Sequence, residues 1–82
     1  MHEPPTTLEQ LPPGRTATVL EVEGDDALAR RISDLGLWPG TPVCVVRRAP
    51  LGDPIQVRIG AYRLALRRVE SRRVRLVTER DG

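Results

Sequence analysis

The stretch Leu35-Gly36-Leu37-Trp38-Pro39-Gly40 decides how this chain folds, because it holds two backbone stop signals. Gly36 suits the left-handed position that ends a helix, and residues 38–41 fit a type II turn, in which proline sets one φ and glycine accepts a positive one. The stretch therefore predicts a joint between a helix and a strand. Trp38, the only tryptophan, is expected either to plug the core or to stand exposed as an anchor for a partner.

The segment before the joint predicts a helix preceded by a strand. Leu28, Ile32 and Leu35 form one apolar stripe at helical spacing, so a helix is expected over residues 27–35. An aspartate in Glu23-Gly24-Asp25-Asp26 is placed to cap it. Residues 15–22 alternate and are rich in β-branched side chains, which is typical of a strand.

The N-terminal part of the chain predicts a lid over the core. Leu8 and Leu11 lie three residues apart and can share one side of a single helical turn. The sequence Pro12-Pro13-Gly14 prevents that turn from continuing. We therefore expect both leucines to cover one end of the core.

The segment after the joint predicts four more strands. In residues 41–48 both the odd-numbered and the even-numbered positions include apolar residues, as expected of a strand covered on both faces. Residues 49–54 are expected to form a loop with Leu51 at its tip. Residues 55–59 and 62–66 alternate around Gly60-Ala61, which predicts a hairpin with its apolar side chains, Tyr62 included, facing inward and its arginines outward. Residues 67–72 are expected to be a short crossing, and residues 73–78 the last strand.

These elements predict a mainly β fold, a small SH3-like barrel of about five strands with one short α-helix between strands 1 and 2. An open sheet of that size would leave two bare edges and too little cover. The expected domain covers residues 7–78, with tails at 1–6 and 79–82.

Composition limits the compartment and the core. No apolar run approaches the roughly 20 residues needed to span a bilayer, and no signal-peptide pattern opens the chain, so we expect a cytoplasmic protein. The aromatic content is 2%, so aliphatic side chains must build the core. The single cysteine, Cys44, excludes an internal disulfide and is expected to be a small core residue.

The charges are unevenly distributed along the chain. Residues 1–46 hold 3 Arg against 7 Asp and Glu, while residues 47–82 hold 10 Arg against 4. The arginines of the second half could contact an acidic protein surface, nucleic acid or only solvent. Nucleic acid is the weakest of these, since only Trp38 and Tyr62 could supply stacking platforms.

The sequence lacks the usual signatures of catalysis and metal binding. There is no glycine-rich phosphate loop, no zinc-ligand spacing and no second histidine beside His2, which is expected to be solvated. The acidic cluster Glu21, Glu23, Asp25 and Asp26 is expected to serve a helix N-terminus. We expect no enzyme activity and no cofactor; a weak divalent metal contact between chains stays open.

Three separated motifs, in order, resemble the FeoA family: residues 30–40, residues 48–54 and residues 62–67. A leading Leu-x-x-Leu-Pro-x-Gly pattern begins at Leu8, and the resemblance covers residues 8–77. One departure is Trp38, where a smaller aliphatic residue is expected. The resemblance implies an SH3-like fold that also occurs at the C-terminus of metal-responsive repressors.

The same resemblance implies a cytoplasmic accessory protein that binds the cytoplasmic part of the ferrous iron transporter FeoB. A metal-responsive or nucleic-acid-binding module is the alternative, and weak self-association stays open. We hypothesise that the partner contacts apolar tips flanked by arginines. The predicted contact residues are Leu37, Trp38, Pro50, Leu51, Arg47, Arg48, Arg67 and Arg68.

Overall fold

The computed structural model describes residues 4–78, which form five strands and two α-helices. A 3₁₀ turn precedes the first strand. In chain order the elements are the 3₁₀ turn Leu8–Gln10, β1 (Thr16–Val22), α1 (Ala27–Asp34), β2 (Pro42–Arg48), β3 (Ile55–Ile59), β4 (Tyr62–Leu66), α2 (Arg68–Ser71) and β5 (Val74–Leu76).

The strands form one antiparallel sheet in the order β4-β3-β2-β1-β5. β1 changes partner along its length: residues 16–18 pair with β2, and residues 19–22 pair with β5 across a bulge. A strand shared in this way bends the sheet into two halves that face a common core. The predicted mainly β fold, with a short helix after the first strand, is confirmed.

The core is aliphatic, as predicted. Every strand, the 3₁₀ turn and α1 contribute buried apolar side chains, whereas Trp38 and Tyr62 are both exposed. Leu8 and Leu11 are buried, so the predicted lid is confirmed. The fully buried apolar side chains are Leu8, Val19, Ile32, Leu37, Val43, Val45, Ile55, Val57, Leu66 and Val74.

The joint after α1 has the predicted backbone. The side chain of Asp26 accepts a hydrogen bond from the Ala29 amide at 3.2 Å and caps α1. Gly36 has a φ of 105° at the end of the helix, and Gly40 has a φ of 90°. The Thr41 amide donates to the Trp38 carbonyl at 3.0 Å, which closes the turn. Local sequence chemistry therefore predicted this connection correctly.

The predicted N-terminal tail, residues 1–6, lies partly outside the described residues. His2 is among the residues that are not described. The last residue of that tail belongs to the fold: the Thr6 carbonyl accepts a hydrogen bond from the Leu76 amide at 2.9 Å. The predicted C-terminal tail, residues 79–82, lies outside the described residues.

Four predictions about the second half are wrong in detail. Residues 68–71 form a helical turn, α2, instead of an irregular crossing, and the last strand has three residues instead of six. Tyr62 is 57% exposed, because it lies at the edge of the sheet where the core ends. Cys44 is half-buried and lies opposite Arg58 on the outer face of the sheet, since its neighbours Val43 and Val45 occupy the core face.

Candidate functional site

The structure divides the predicted contact surface between two ends of the molecule. Trp38 precedes β2 and Leu51 follows it, and a seven-residue strand separates the two loops by about 20 Å. We call residues 47–54 with Arg67 and Arg68 the Leu51 end. We call Trp38 with the hairpin residues 58–63 the Trp38 end. The pairing of Ile59 with Tyr62 places the hairpin tip beside the start of β2.

Leu37, predicted as a contact residue, lies in the core and not on the surface. Its side chain is fully buried in the aliphatic core. Gly36 ends α1 with a φ of 105°, and the residue that follows it joins the core cluster. A fully buried leucine offers no surface to a partner.

Trp38 is exposed and does not plug the core. Its side chain is 61% exposed, and the indole N–H donates to the Ser33 carbonyl at 2.6 Å. The Gly36 amide donates to the same carbonyl at 2.9 Å. The indole is therefore held by the C-terminal turn of α1, with its polar atom satisfied and its apolar rings in solvent.

Leu51 stands at the tip of a loop that polar contacts hold in place. It is 89% exposed, the highest value among the exposed large apolar side chains of the described residues. The Gly52 amide donates to the Ala49 carbonyl at 2.7 Å, and the Arg68 guanidinium donates to the Leu51 carbonyl at 3.4 Å. The Asp53 carboxylate accepts the Arg68 amide at 3.1 Å, which fastens the loop to α2.

The four arginines predicted to flank these tips have different roles. Arg48 is half-buried and donates to the carbonyls of Glu9 and Leu11, so it fixes the lid. Arg68 forms an ion pair with Glu9 at 3.4 Å. Arg47 and Arg67 are exposed, and neither pairs with a carboxylate within residues 4–78. Two of the four are therefore available to a partner and two hold the fold together.

The acidic corner after β1 is neutralised by arginines of β5 and the residue before it. Arg73 makes two hydrogen bonds to Asp26, at 2.9 and 3.0 Å, and Arg75 lies 3.6 Å from Glu21 and 3.8 Å from Glu23. The Arg73 guanidinium and the Ala29 amide lower the pKa of Asp26 from 3.8 to about 2. The same contact raises the pKa of Arg73. The predicted capping role of the cluster is confirmed for Asp26.

Sequence reasoning missed Glu70, which is buried in α2. Its carboxylate accepts the Arg67 amide at 2.7 Å and lies 3.3 Å from the Arg31 guanidinium. The spacing of Arg67 and Glu70 matches the glutamate position of a capping box, but arginine is not a capping residue, so the signal was weak. Glu70 links α2 to α1 and lines a cavity of about 280 Å³ with Arg31, Asp53, Pro54, Ala65 and Arg67.

Two further properties concern metals and membranes. Among residues 4–78, no three side chains of His, Cys, Asp or Glu lie close enough together to hold a metal ion. No helix in the same residues is long and apolar enough to cross a bilayer.

The FeoA domain model matches residues 6–77 of this chain. A fusion of Fe(2+) transport protein A with the Fe(2+) transporter FeoB from Porphyromonas gingivalis is 36% identical over 67 residues. Those residues are 82% of this chain and 8% of the fusion protein, so the chain spans a small part of that relative.

Two solved structures are similar in both sequence and fold. FeoA of Stenotrophomonas maltophilia, described as an SH3 domain protein and solved with zinc, is 38% identical with a TM-score of 0.78; the match covers 89% of this chain and 91% of that one. FeoA of Chlorobium tepidum is 40% identical with a TM-score of 0.76, over 85% of this chain and 67% of its own. The predicted SH3-like fold is thereby confirmed.

Proposed function

Since this chain belongs to the FeoA family, we propose that it is a non-enzymatic accessory protein of ferrous iron uptake that binds the cytoplasmic part of a FeoB transporter. One observation carries the proposal: in the Porphyromonas gingivalis relative, a domain similar to this chain is covalently joined to FeoB. Joining two modules in one chain raises their effective concentration, which favours a weak contact between them. We expect the domain described here to meet its partner in the cytoplasm.

The Leu51 end is the surface that we assign to this contact. Leu51 supplies an apolar anchor, Pro50 lies beside it in the loop, and Arg47 and Arg67 supply charges that pair with no carboxylate of residues 4–78. An apolar centre surrounded by polar groups is the usual anatomy of a protein interface. The cytoplasmic part of the transporter is expected to offer a small apolar pocket with carboxylates at its rim.

The Leu51 loop is also suited to binding because its backbone is already ordered. Hydrogen bonds from Gly52 and Arg68 and the contact of Asp53 with α2 fix the loop before a partner arrives. Ordering an interface costs about 0.5–1.5 kcal/mol for each flexible side chain immobilised. A fixed loop keeps that cost to the leucine side chain itself.

A binding titration tests the assignment, with the cytoplasmic part of FeoB and this chain carrying Leu51→Ala or Trp38→Ala. The two variants are matched, because each removes one exposed apolar tip at one end of β2. We expect Leu51→Ala to weaken binding at least about 10-fold, as for an interface hot spot, and Trp38→Ala to leave it unchanged.

Other results would contradict the proposal in distinct ways. Loss of binding only in Trp38→Ala would move the contact to the other end of the molecule. If both variants bind as tightly as the unaltered chain, with the fold intact by circular dichroism, both tips would be excluded from the interface. Absence of binding by the unaltered chain would reject the accessory function through direct contact.

A further inference from the structure

The β3–β4 hairpin and the turn after α1 form a second exposed surface, the Trp38 end, that the transporter contact does not use. Tyr62 and Trp38 are 57% and 61% exposed, and the hairpin tip residues Gly60 and Ala61 are exposed as well. A Cβ at Gly36 would lie 3.3 Å from the Tyr62 hydroxyl, so this tyrosine packs against the same helix end that holds Trp38. The two aromatic residues of the chain therefore lie at one end of the molecule.

Two arginines lie directly behind this aromatic tip. Arg58 and Arg63 are cross-strand partners in the β3–β4 register, and both are exposed. Like charges placed opposite one another in a sheet destabilise it. No carboxylate of residues 4–78 pairs with either arginine, in contrast to Arg73 and Arg75, which pair with the acidic corner. The hairpin therefore carries an uncompensated positive charge beside an apolar tip.

We propose that the Trp38 end is a membrane-contact surface that binds the anionic phospholipids of a bilayer. Tryptophan and tyrosine are the side chains enriched at the lipid headgroup level, where an apolar ring and a polar atom are both accommodated. A basic residue close to an anionic bilayer contributes about 1 kcal/mol of attraction. Trp38, Tyr62, Arg58 and Arg63 supply both kinds of contact on one projecting hairpin and its neighbouring turn.

Charge and shape favour a bilayer over the other anionic partners. Single-stranded nucleic acid is bound by aromatic side chains spread along a basic groove. Here both aromatic residues lie at the tip of the surface, and the arginine pair lies one residue further along β3 and β4. This order, apolar tip first and cations second, matches the order of a bilayer from its acyl boundary to its phosphates.

The only tryptophan of the chain provides a direct test, because its fluorescence reports the environment of the Trp38 end. The chain is mixed with vesicles of phosphatidylglycerol or of phosphatidylcholine and then sedimented. We expect phosphatidylglycerol vesicles to sediment the protein and to shift its emission to shorter wavelength, with an effect that weakens as salt rises. Phosphatidylcholine vesicles are expected to do neither.

Charge variants locate the contact. Arg58→Gln and Arg63→Gln are each expected to weaken vesicle binding about fivefold, because each removes one cation at the surface. Arg72→Gln is the matched control: it removes the same charge from an exposed arginine that follows α2, at the other end of β4, and is expected to bind normally. Neither hairpin substitution is expected to lower the melting temperature, since each relieves a pair of like charges.

Four outcomes would overturn the proposal. The first is equal binding to both kinds of vesicle, and the second is an equal weakening of vesicle binding by Arg72→Gln and Arg63→Gln. The third is sedimentation with the vesicles while the emission spectrum of Trp38 stays unchanged. The fourth is retention of an acidic peptide or a single-stranded oligonucleotide, lost in Arg63→Gln, without vesicle binding. Because the vesicles contain no transporter, the result is independent of the proposed binding to FeoB.

Discussion

The two ends of β2 carry the same residue types, an exposed apolar tip and nearby arginines, but the structure uses them differently. At the Leu51 end, Arg48 and Arg68 bind backbone carbonyls or Glu9, and the tip is fixed by these polar contacts. At the Trp38 end, glycine and proline fix the backbone, while Arg58 and Arg63 pair with no carboxylate of residues 4–78.

This difference shows that an arginine beside an apolar tip is not by itself a binding residue. A guanidinium that already satisfies buried carbonyls would leave them unpaired if it turned to a partner, and that loss opposes binding. Arginines without internal partners carry no such cost. The availability of a charge therefore depends on contacts made with residues distant in sequence.

The largest expected effect tests the boundary between the core and the Trp38 end, at two adjacent residues. Leu37→Ala removes a fully buried side chain and is expected to lower the free energy of unfolding by about 2–5 kcal/mol. Trp38→Ala, at the next position, is expected to cost less than about 1 kcal/mol, because its rings are mostly in solvent. Chemical denaturation of both variants measures the two values. Similar losses would mean that the indole packs more than its exposure indicates.

A smaller effect tests the arginines of the Leu51 end. Arg48→Ala leaves the carbonyls of Glu9 and Leu11 without their donor and is expected to lower the free energy of unfolding by about 1–3 kcal/mol. Arg47→Ala, its exposed neighbour, is expected to change stability by less than about 0.5 kcal/mol. Thermal unfolding compares the two variants. If Arg48→Ala and Arg47→Ala change stability equally, Arg48 does not hold the lid in place.

The smallest effect concerns acid, and it tests the arginines that face the acidic corner. The pKa of Asp26 is lowered to about 2 in the folded state, so its stabilising contact is fully present above its ordinary value of 3.8 and is lost as pH falls toward 2. Asp26→Asn is expected to lower stability at neutral pH and to flatten the decline between these two values. Denaturation across that pH range measures both effects.

Asp34→Asn serves as the control for this change, because Asp34 is exposed at the end of α1 and forms no ion pair within residues 4–78. A carboxylate near a helix C-terminus is unfavourable, so its removal is not expected to lower stability. A flattened acid response in Asp34→Asn as well would show that the decline does not come from the Asp26–Arg73 pair.

Local backbone chemistry made much of this fold predictable from the sequence. Gly36 and Gly40 predict backbone positions with positive φ values, and alternating apolar and polar residues predict the hairpin strands. The spacing of Leu8 and Leu11 predicts the lid. Those features depend on neighbours in sequence. The predicted contact surface was less reliable, because Leu37 and Trp38 are adjacent apolar residues at a turn, and no periodicity tells which of them faces the core.

The remaining differences arise from contacts between distant residues. α2 depends on Glu70, whose buried carboxylate is paired with Arg31 of α1. Arg48 turns inward because it meets carbonyls of the 3₁₀ turn, more than thirty residues earlier. A propensity argument cannot anticipate such pairings, since each partner taken alone is a typical surface residue.

The hydrogen bond between Thr6 and Leu76 has a consequence for how such a domain is attached to a longer protein. It brings the first and last described segments together, so the chain enters and leaves the folded domain at neighbouring points. A domain with that arrangement can be appended to, or placed within, another polypeptide without stretching its core. In such an arrangement the length and composition of the connecting segment set how far the two loop ends can reach.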